Sequence, residues 1–413
     1  MIRFIHTADI HFGMENYGRI DPKTGIHSRL HDFEKALNFC IDFALEKQVD
    51  FFLFSGDAYK TAHPTPTHQR LLMGCFLRLY KAGIPLVIVV GNHDNPLSFG
   101  KAHALEIFGQ VPLEGFHVIS KPTSLLLNTK SGPVQIVGIP WPTRNTISLS
   151  DQHAELSPQE ITEYISNGVS KIIASFAEAL DYSLPAVLAG HLTVSSGIFS
   201  GSEKRAIYGT DPFFLPSQLG IAPFDYVALG HLHRFQNVNG NCLPPIVYSG
   251  SIERIDFGER KEEKGFCFVT IHEKEETTYE FIKTPTRPLI QIEVHLTEGV
   301  DQTEQVLDEI KRYSLGGAIV KIVYFVPGHV KDTVDLIQVQ KACIQAWYLV
   351  GIFPVHHQEA RERRASLRTD MNLKQLLTAY FDTKPTYTPE QKQNLIEKAL
   401  HIEQELSEEE HEL

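Results

Sequence analysis

Five short segments carry side chains able to bind a cation or move a proton, and each follows directly on an apolar run: Asp9-Ile10-His11, Gly56-Asp57, Gly91-Asn92-His93-Asp94, Gly190-His191 and Gly230-His231-Leu232-His233. The donors are oxygens and imidazoles, without a thiolate among them. Such a mixture suits manganese, iron or zinc better than calcium, and hydrolysis can run on manganese or magnesium at such sites. Any one segment alone reads as an ordinary turn or a core histidine, because Asn and Asp favour turns. Five of them together, each closing an apolar run, point to a single cleft. The chemistry that needs this set is phosphodiester hydrolysis with two divalent metal ions, which requires a carboxylate able to bridge, several terminal ligands, and open positions for water and substrate.

The elements that must position these residues are short buried strands. The apolar runs go from Ile2 to Ile5, Phe51 to Phe54, Leu86 to Val90, Ala186 to Ala189 and Tyr226 to Leu229, and ligands in open α/β sheets gather at the carboxyl ends of such strands. Helical stretches from Leu30 to Lys47 and Thr67 to Ala82 alternate with them, the signature of an α/β protein. Later runs, from Val247 to Ser249, Phe266 to Ile271 and Thr277 to Ile282, leave no room for helices between them. A two-sheet sandwich flanked by helices fits better than one parallel sheet.

The paired prolines of Thr284-Pro285-Thr286-Arg287-Pro288 mark a boundary, giving a first domain over 1–283. A small α+β domain is expected over 284–360: a strand from Leu289 to His295, a helix from Asp301 to Tyr313, a strand from Ala318 to Val326, a helix from Thr333 to Leu349, and a short strand near Phe353 to His356. Residues 361–413 read as a linker and a helical hairpin. Leu373, Leu376, Leu377 and Tyr380 share one helical face, and Leu395, Ala399, Ile402 and Leu406 share another. A hairpin on a polar tether cannot bury both faces alone, so a partner is expected.

The chain has 413 residues and a formal net charge of −12, with 42% hydrophobic and 21% charged residues. No apolar stretch approaches the roughly 20 residues of a membrane helix. The start lacks the apolar run and cleavage site of a secretory signal, which makes the cytoplasm the expected location, without membrane attachment. The five cysteines are scattered and form no C-x-x-C pair, against both a disulfide framework and a thiolate metal site. Charge is uneven: the segment 384–413 holds eight Glu against three Lys, whereas Arg361, Arg363, Arg364 and Arg368 form a basic patch just upstream. That patch reads first as a solvated linker and second as a phosphate contact, whereas the loop from Thr193 to Thr210 with Lys204 and Arg205 reads equally as a phosphate contact or as solvated surface. Tyr17 and Arg19 are weaker candidates, and His6, His31, His63, His68 and His103 receive no role.

The five segments together resemble the motifs of the calcineurin-like metallophosphoesterases. Two longer stretches, Asp225-Tyr-Val-Ala-Leu-Gly-His-Leu-His-Arg234 and Tyr248-Ser-Gly-Ser-Ile-Glu-Arg-Ile-Asp-Phe-Gly-Glu259, resemble the SbcD family of nuclease subunits, found in the bacterial SbcCD complex. The motifs span residues 1 to about 270; beyond them the resemblance rests on the order and size of the remaining domains.

The resemblance implies one metal held by Asp9, His11, Asp57 and His233, and a second held by Asp57, Asn92, His191 and His231, with Asp57 as the bridge. It implies that His93 is an acid serving the transition state or the leaving oxygen, with Asp94 orienting its ring. Gly56-Asp-Ala-Tyr-Lys60 lacks both the acidic residue often seen after the bridging Asp and the Asp-Arg-Gly continuation of protein phosphatases. The second absence argues against a phosphoprotein substrate. The resemblance further implies a manganese-dependent DNA exonuclease and endonuclease of repair and recombination, a homodimer within a heterotetramer with an SbcC-like coiled-coil ATPase. In it the small domain caps the active site and the helical hairpin meets the coiled coil. Two competing readings are a cyclic nucleotide phosphodiesterase and an inactive phosphoesterase-fold scaffold. A small substrate needs neither added domain, and a scaffold usually loses ligands that are all present here.

Overall fold

A computed structural model of the chain describes residues 1–96, 102–110, 114–147, 157–201, 211–356, 373–382 and 387–409. The chain begins β1 (Ile2–Thr7), α1 (Ser28–Lys47), β2 (Phe51–Phe54), α2 (Pro66–Lys81), β3 (Leu86–Val89), α3 (Glu106–Gln110) and β4 (Phe116–Ile119). It continues through β5 (Thr123–Thr129), β6 (Gly132–Ile139), α4 (Pro158–Ala179), β7 (Ala186–His191), β8 (Thr193–Val194), β9 (Phe213–Phe214) and α5 (Pro216–Leu219). Then come β10 (Tyr226–Gly230), β11 (Gln236–Asn237), β12 (Ile246–Tyr248), β13 (Gly265–Glu273) and β14 (Glu276–Lys283). Two six-stranded sheets result, in the orders β14-β13-β1-β2-β3-β4 and β11-β12-β10-β7-β6-β5. Within them β1 to β4 are mutually parallel, as are β6, β7, β10 and β12.

Alternation along fully buried strands explains the layering. In β2, Phe51 and Leu53 face the other sheet, sharing a core with Phe4 of β1 and with Ile136, Val187, Tyr226 and Ala228 of that sheet. Phe52 and Phe54 point the opposite way, into the layer of α1 and α2 with Phe33, Leu37, Ile41 and Phe76. The second sheet does the same with α4, whose Ile165, Val169, Ile173 and Ala177 recur every four residues against Leu188, Val227 and Leu229. The elements up to β14 therefore form a helix–sheet–sheet–helix sandwich, and both sheets aim strand ends at one edge. Helix α2 starts at a capping box of Thr65 and His68 with Pro66 in its first turn, and α4 at one of Ser157 and Glu160.

The start of α1 is tied to the segment after β12 by buried charge. Arg29, fully buried, donates to Asp32 at 2.8 Å and to the Arg254 carbonyl at 2.7 Å. Asp32 also accepts two bonds from Arg287, at 2.8 and 2.6 Å, and the Arg287 guanidinium lies 3.7 Å over the Trp347 ring.

After β14 come β15 (Leu289–His295), α6 (Gln302–Ile310), β16 (Ile319–Val326), α7 (Leu336–Ala342) and β17 (Tyr348–His356), with a three-stranded sheet in the order β15-β16-β17. The chain has two compact units: 1–292 with 313–321 and 340–351, and 293–312 with 322–339 and 352–413. The elements expected from sequence are present with two corrections. The helix expected from Thr333 to Leu349 covers only Leu336–Ala342, and the short strand near Phe353 begins at Tyr348. Aromatic and branched residues at Trp347, Tyr348 and Val350 favour a strand, and the Trp347 N–H bonds the Ala318 carbonyl at 2.9 Å.

The last helices are α8 (Leu373–Asp382) and α9 (Pro389–Glu409). In α9 Ile396 is buried, while Leu395 and Ile402 of the expected face are exposed. The sequence reading places no element between the third and fourth segments, where the structure has α3, β4, the β5–β6 hairpin and α4. No described helix is long and apolar enough to cross a membrane.

Two substitutions test this packing in chelated protein. Phe51→Ala removes a ring stacked on Phe4 at 4.5 Å between the sheets and is expected to cost about 3–5 kcal/mol in urea denaturation. At Gly91 a Cβ would stand 2.1 Å from Asp57 Oδ1 and 2.3 Å from the Asp57 backbone nitrogen, so Gly91→Ala is expected to lose about 1–3 kcal/mol by overpacking.

Candidate metal centre

The loops after β1 and β2 are laced by backbone bonds before any side chain is considered. Asp9 N–H donates to the Gly56 carbonyl at 2.9 Å, His11 N–H to Asp57 at 3.0 Å and Phe12 N–H to Ala58 at 2.8 Å. This lacing holds Asp9, His11 and Asp57 in left-handed backbone, with φ of 54°, 50° and 58°. His231, after β10, has φ of 101°. Non-glycine residues adopt such values at a conformational cost and persist where surrounding structure over-determines them. Gly56 sits where a Cβ would come within 2.3 Å of His191 Nδ1, so that segment needs its glycine for close approach.

The side chains converge. His11 Nε2 lies 3.0 Å from His233 Nε2 and 3.5 Å from Asp57 Oδ2. On the other side of Asp57, His191 Nε2 is 3.4 Å from the same oxygen and 2.9 Å from Asn92 Oδ1, which His231 Nδ1 approaches at 3.2 Å. The Asp9 carboxylate accepts the His231 N–H at 3.0 and 3.1 Å. Asp9, His11, Asp57, His191, His231 and His233 are all buried, and Asn92 is half-buried. Among the described residues, three overlapping groups have donor atoms close enough for a cation: Asp9, His11 and His233; His11, Asp57 and His93; and Asp9, Asp57 and His191.

The donor set fits divalent cations on an internal criterion. His191 Nδ1 donates to the Ser55 carbonyl at 2.8 Å, so its Nε2 carries a lone pair in the neutral ring and faces the oxygens of Asn92 and Asp57. Lone pairs pointed at one another repel unless a cation or protons lie between them. The titration behaviour agrees. Burial, reinforced by the Asp57 charge, lifts Asp9 to about 7 against the pull of His191 and His233. Burial opposes a charged His191, but the carboxylates of Asp57 and Asp9 outweigh it and raise the ring to about 9. Burial also opposes ionisation of Asp57, whose neighbours His191, His11 and His93 nonetheless hold its carboxyl below the usual range. Burial keeps His11 and His231 in the neutral, ligating form.

His93 and Asp94 separate. The His93 side chain is 45% exposed at the rim, its ring edge-on to His11 at 4.8 Å and its Nε2 4.0 Å from Asp57 Oδ2. Its Nδ1 donates to the Lys60 carbonyl at 2.8 Å, and its backbone N–H donates to Asp57 Oδ1 at 2.9 Å. Asp94 points away and is fully buried, accepting the backbone N–H groups of Ala58, Tyr59 and Gly91 at 3.3, 3.0 and 3.1 Å. The expected orienting contact from Asp94 to the His93 ring is corrected: Lys60 orients the ring, and Asp94 pins the two turns that carry Asp57 and Asn92. Burial first, and then the Asp57 charge, raise Asp94 to about 6 despite those bonds.

Sequence reasoning also passed over Trp141, which walls the site with its ring 4.8 Å from His231 and 6.0 Å from His191. It comes from the end of β6, a strand with no polar motif to mark it. His6 is a core histidine, bonded to Tyr226 Oη and the Leu229 carbonyl, and burial drives it down to about 3. Tyr17 packs edge-on against Phe257, and Arg19 is exposed. Lys204, Arg205 and the arginines from Arg361 to Arg368 lie outside the described residues.

The chain is 29% identical over 294 residues to the D subunit of the nuclease SbcCD from Staphylococcus saprophyticus, covering 71% of each chain. Two solved structures, a dimetal phosphatase from Danio rerio and a protein of Thermus thermophilus, are similar over 68% of this chain and 98% of theirs. Their identities are 10% and 13%, with TM-scores of 0.39 and 0.37. The family model of the calcineurin-like phosphoesterases matches residues 2–235, a span that contains all five ligand segments. With more than half of its length matched, the chain belongs to the calcineurin-like phosphoesterase family.

Proposed function

We propose that this chain is the nuclease subunit of a DNA-processing complex, hydrolysing phosphodiester bonds at duplex ends and in hairpins or single strands. The observation that carries the hydrolytic part is the convergence of Asp57 Oδ2, Asn92 Oδ1 and the ring nitrogens of His11, His191, His231 and His233 beside the exposed ring of His93. The choice of DNA is supported by the relative in the nuclease SbcCD. That similarity runs over more residues than the family match spans, so it includes sequence beyond the common phosphoesterase domain.

In this reading Asp9, His11, Asp57 and His233 would hold one divalent ion and Asp57, Asn92, His191 and His231 the other. Manganese is the favoured metal and magnesium the second choice. Bound ions of this kind supply positive charge against the charge that develops on phosphorus and its oxygens. The protein's own part is positional. The backbone lacing and Asp94 keep Asp57 between the two ligand sets. With Nδ1–H held by Lys60, His93 turns Nε2 to the cleft, where in its protonated form it donates to the leaving oxygen.

The remaining chain fits a partnered nuclease better than an enzyme of small substrates. Residues 284–360 would form the capping domain, and 361–413 the linker and hairpin that meet an SbcC-like coiled-coil ATPase, with two nuclease subunits per assembly. The exposure of Tyr380, Leu395 and Ile402 on the last helices supports a surface meant for a partner.

Purified protein with manganese is expected to cut linear and hairpin DNA, and chelation to stop it. His93→Gln is expected to lower cleavage by about 10²–10⁴-fold while manganese binding, measured by calorimetry, stays unchanged. Absence of manganese-dependent cleavage of any DNA, with or without the partner, would sink the nuclease reading; rapid cyclic nucleotide hydrolysis would replace it. Truncation after Arg368 is expected to abolish co-purification with the ATPase and leave metal uptake intact.

A further inference from the structure

His231 and His233 stand two residues apart after one strand, yet they turn opposite ring nitrogens to the cleft. His233 Nδ1 is 2.8 Å from Glu259 Oε1, and since an ionised carboxylate only accepts, Nδ1 carries the proton and Nε2 is left to face His11 at 3.0 Å. His231 does the reverse. Its Nδ1 faces Asn92 Oδ1 at 3.2 Å, while its Nε2 lies 3.4 Å from Asp211 Oδ2.

Neither carboxylate belongs to the five ligand segments. Glu259 is fully buried and fixed from two further directions, by Lys264 Nζ at 2.9 Å and the Ile255 N–H at 2.9 Å. Asp211 is buried, and its Oδ2 makes no hydrogen bond among the described residues; it stands 3.4 Å from His231 Nε2, at ion-pair distance. Carboxylates placed behind ligating imidazoles fix the tautomer, hold the ring plane and raise its basicity, and their loss costs about 10–100-fold in metal affinity.

We infer that Glu259 and Asp211 are positioning residues that impose opposite tautomers on His233 and His231, so that each carboxylate governs one of the two cation sites. This rests on the division of ligands proposed above. Its structural consequence is independence: the site with His11 and His233 answers to Glu259, and the site with Asn92 and His191 to Asp211.

The test uses the full chain, manganese calorimetry, and nitrogen-15 NMR of the histidine rings in chelated protein. Wild type is expected to bind two manganese ions, with the ring proton on Nδ1 of His233 and on Nε2 of His231. Glu259→Gln is expected to weaken one site by about 10–100-fold and leave the other at its wild-type affinity. Asp211→Asn should do the converse and alter only the His231 tautomer signal. Because Glu259→Gln leaves the Lys264 charge buried, the variant Glu259→Gln with Lys264→Met is measured beside it. If the paired change restores wild-type affinity, the loss came from the stranded lysine and the positioning role of Glu259 is overturned. Two ions in wild type with unchanged affinities and tautomers in both variants would overturn the roles of both carboxylates. Fewer than two ions in wild type would overturn the division of ligands and this inference with it.

Discussion

The structure depends on a conflict between burial and charge. Asp9, Asp57 and Asp94 are carried to one edge of the sandwich with almost no solvent contact, and four imidazoles are packed round them. Burying an ionised carboxylate in a medium of low polarity is costly unless a partner of opposite charge shares the space. Asp94 meets that cost with three backbone N–H groups, and Asp9 partly with the N–H of His231. Asp57 has one such bond, from the His93 N–H to Oδ1, and its Oδ2 is left among the ring nitrogens of His11, His191 and His93. The arrangement makes physical sense around cations.

The backbone carries the mark of the same demand. Four of the seven candidate ligands, Asp9, His11, Asp57 and His231, lie in left-handed conformation. Ordinary turns would send these side chains away from the cleft. The cost is offset by regular structure beneath: parallel strands with both faces buried, helix caps on α2 and α4, and the loop-to-loop ladder between the first two segments. A rigid scaffold with strained strand ends is a common way for α/β folds to hold reactive groups.

Much of this was legible in the sequence. The five strands that deliver ligands announce themselves as apolar runs ending in Gly or Asp, and their placement needs only the rule that such sheets open at their carboxyl ends. The failures have physical reasons. The resemblance implied that Asp94 orients the His93 ring. A tight turn sends neighbouring side chains in opposite directions, so Asp94 serves the backbone and a carbonyl from the second loop serves His93. Glu259 and Asp211 were out of reach because sequence distance hides spatial contact; Glu259 lies 26 residues from His233. The helix placed over 333–349 failed at Trp347 and Tyr348, where sheet pairing decides the conformation. Between the third and fourth segments no polar motif draws attention, so the hairpin that supplies Trp141 went unread.

The ligands are shared between the sheets: Asp9, His11, Asp57 and Asn92 follow strands of one, and His191, His231 and His233 follow strands of the other. A cation held by both groups is a cross-link across the sandwich as well as a reagent. Any opening that parts the sheets at that edge must first surrender the ion, so metal occupancy and resistance to unfolding are thermodynamically linked. At a free ion concentration of a hundred dissociation constants, one such site adds about 2.7 kcal/mol to the folded state. With a cation so held, the durability of this protein would be set partly by the metal supply of its surroundings, and a defect in the apolar layer between the sheets would stay hidden while that supply lasts.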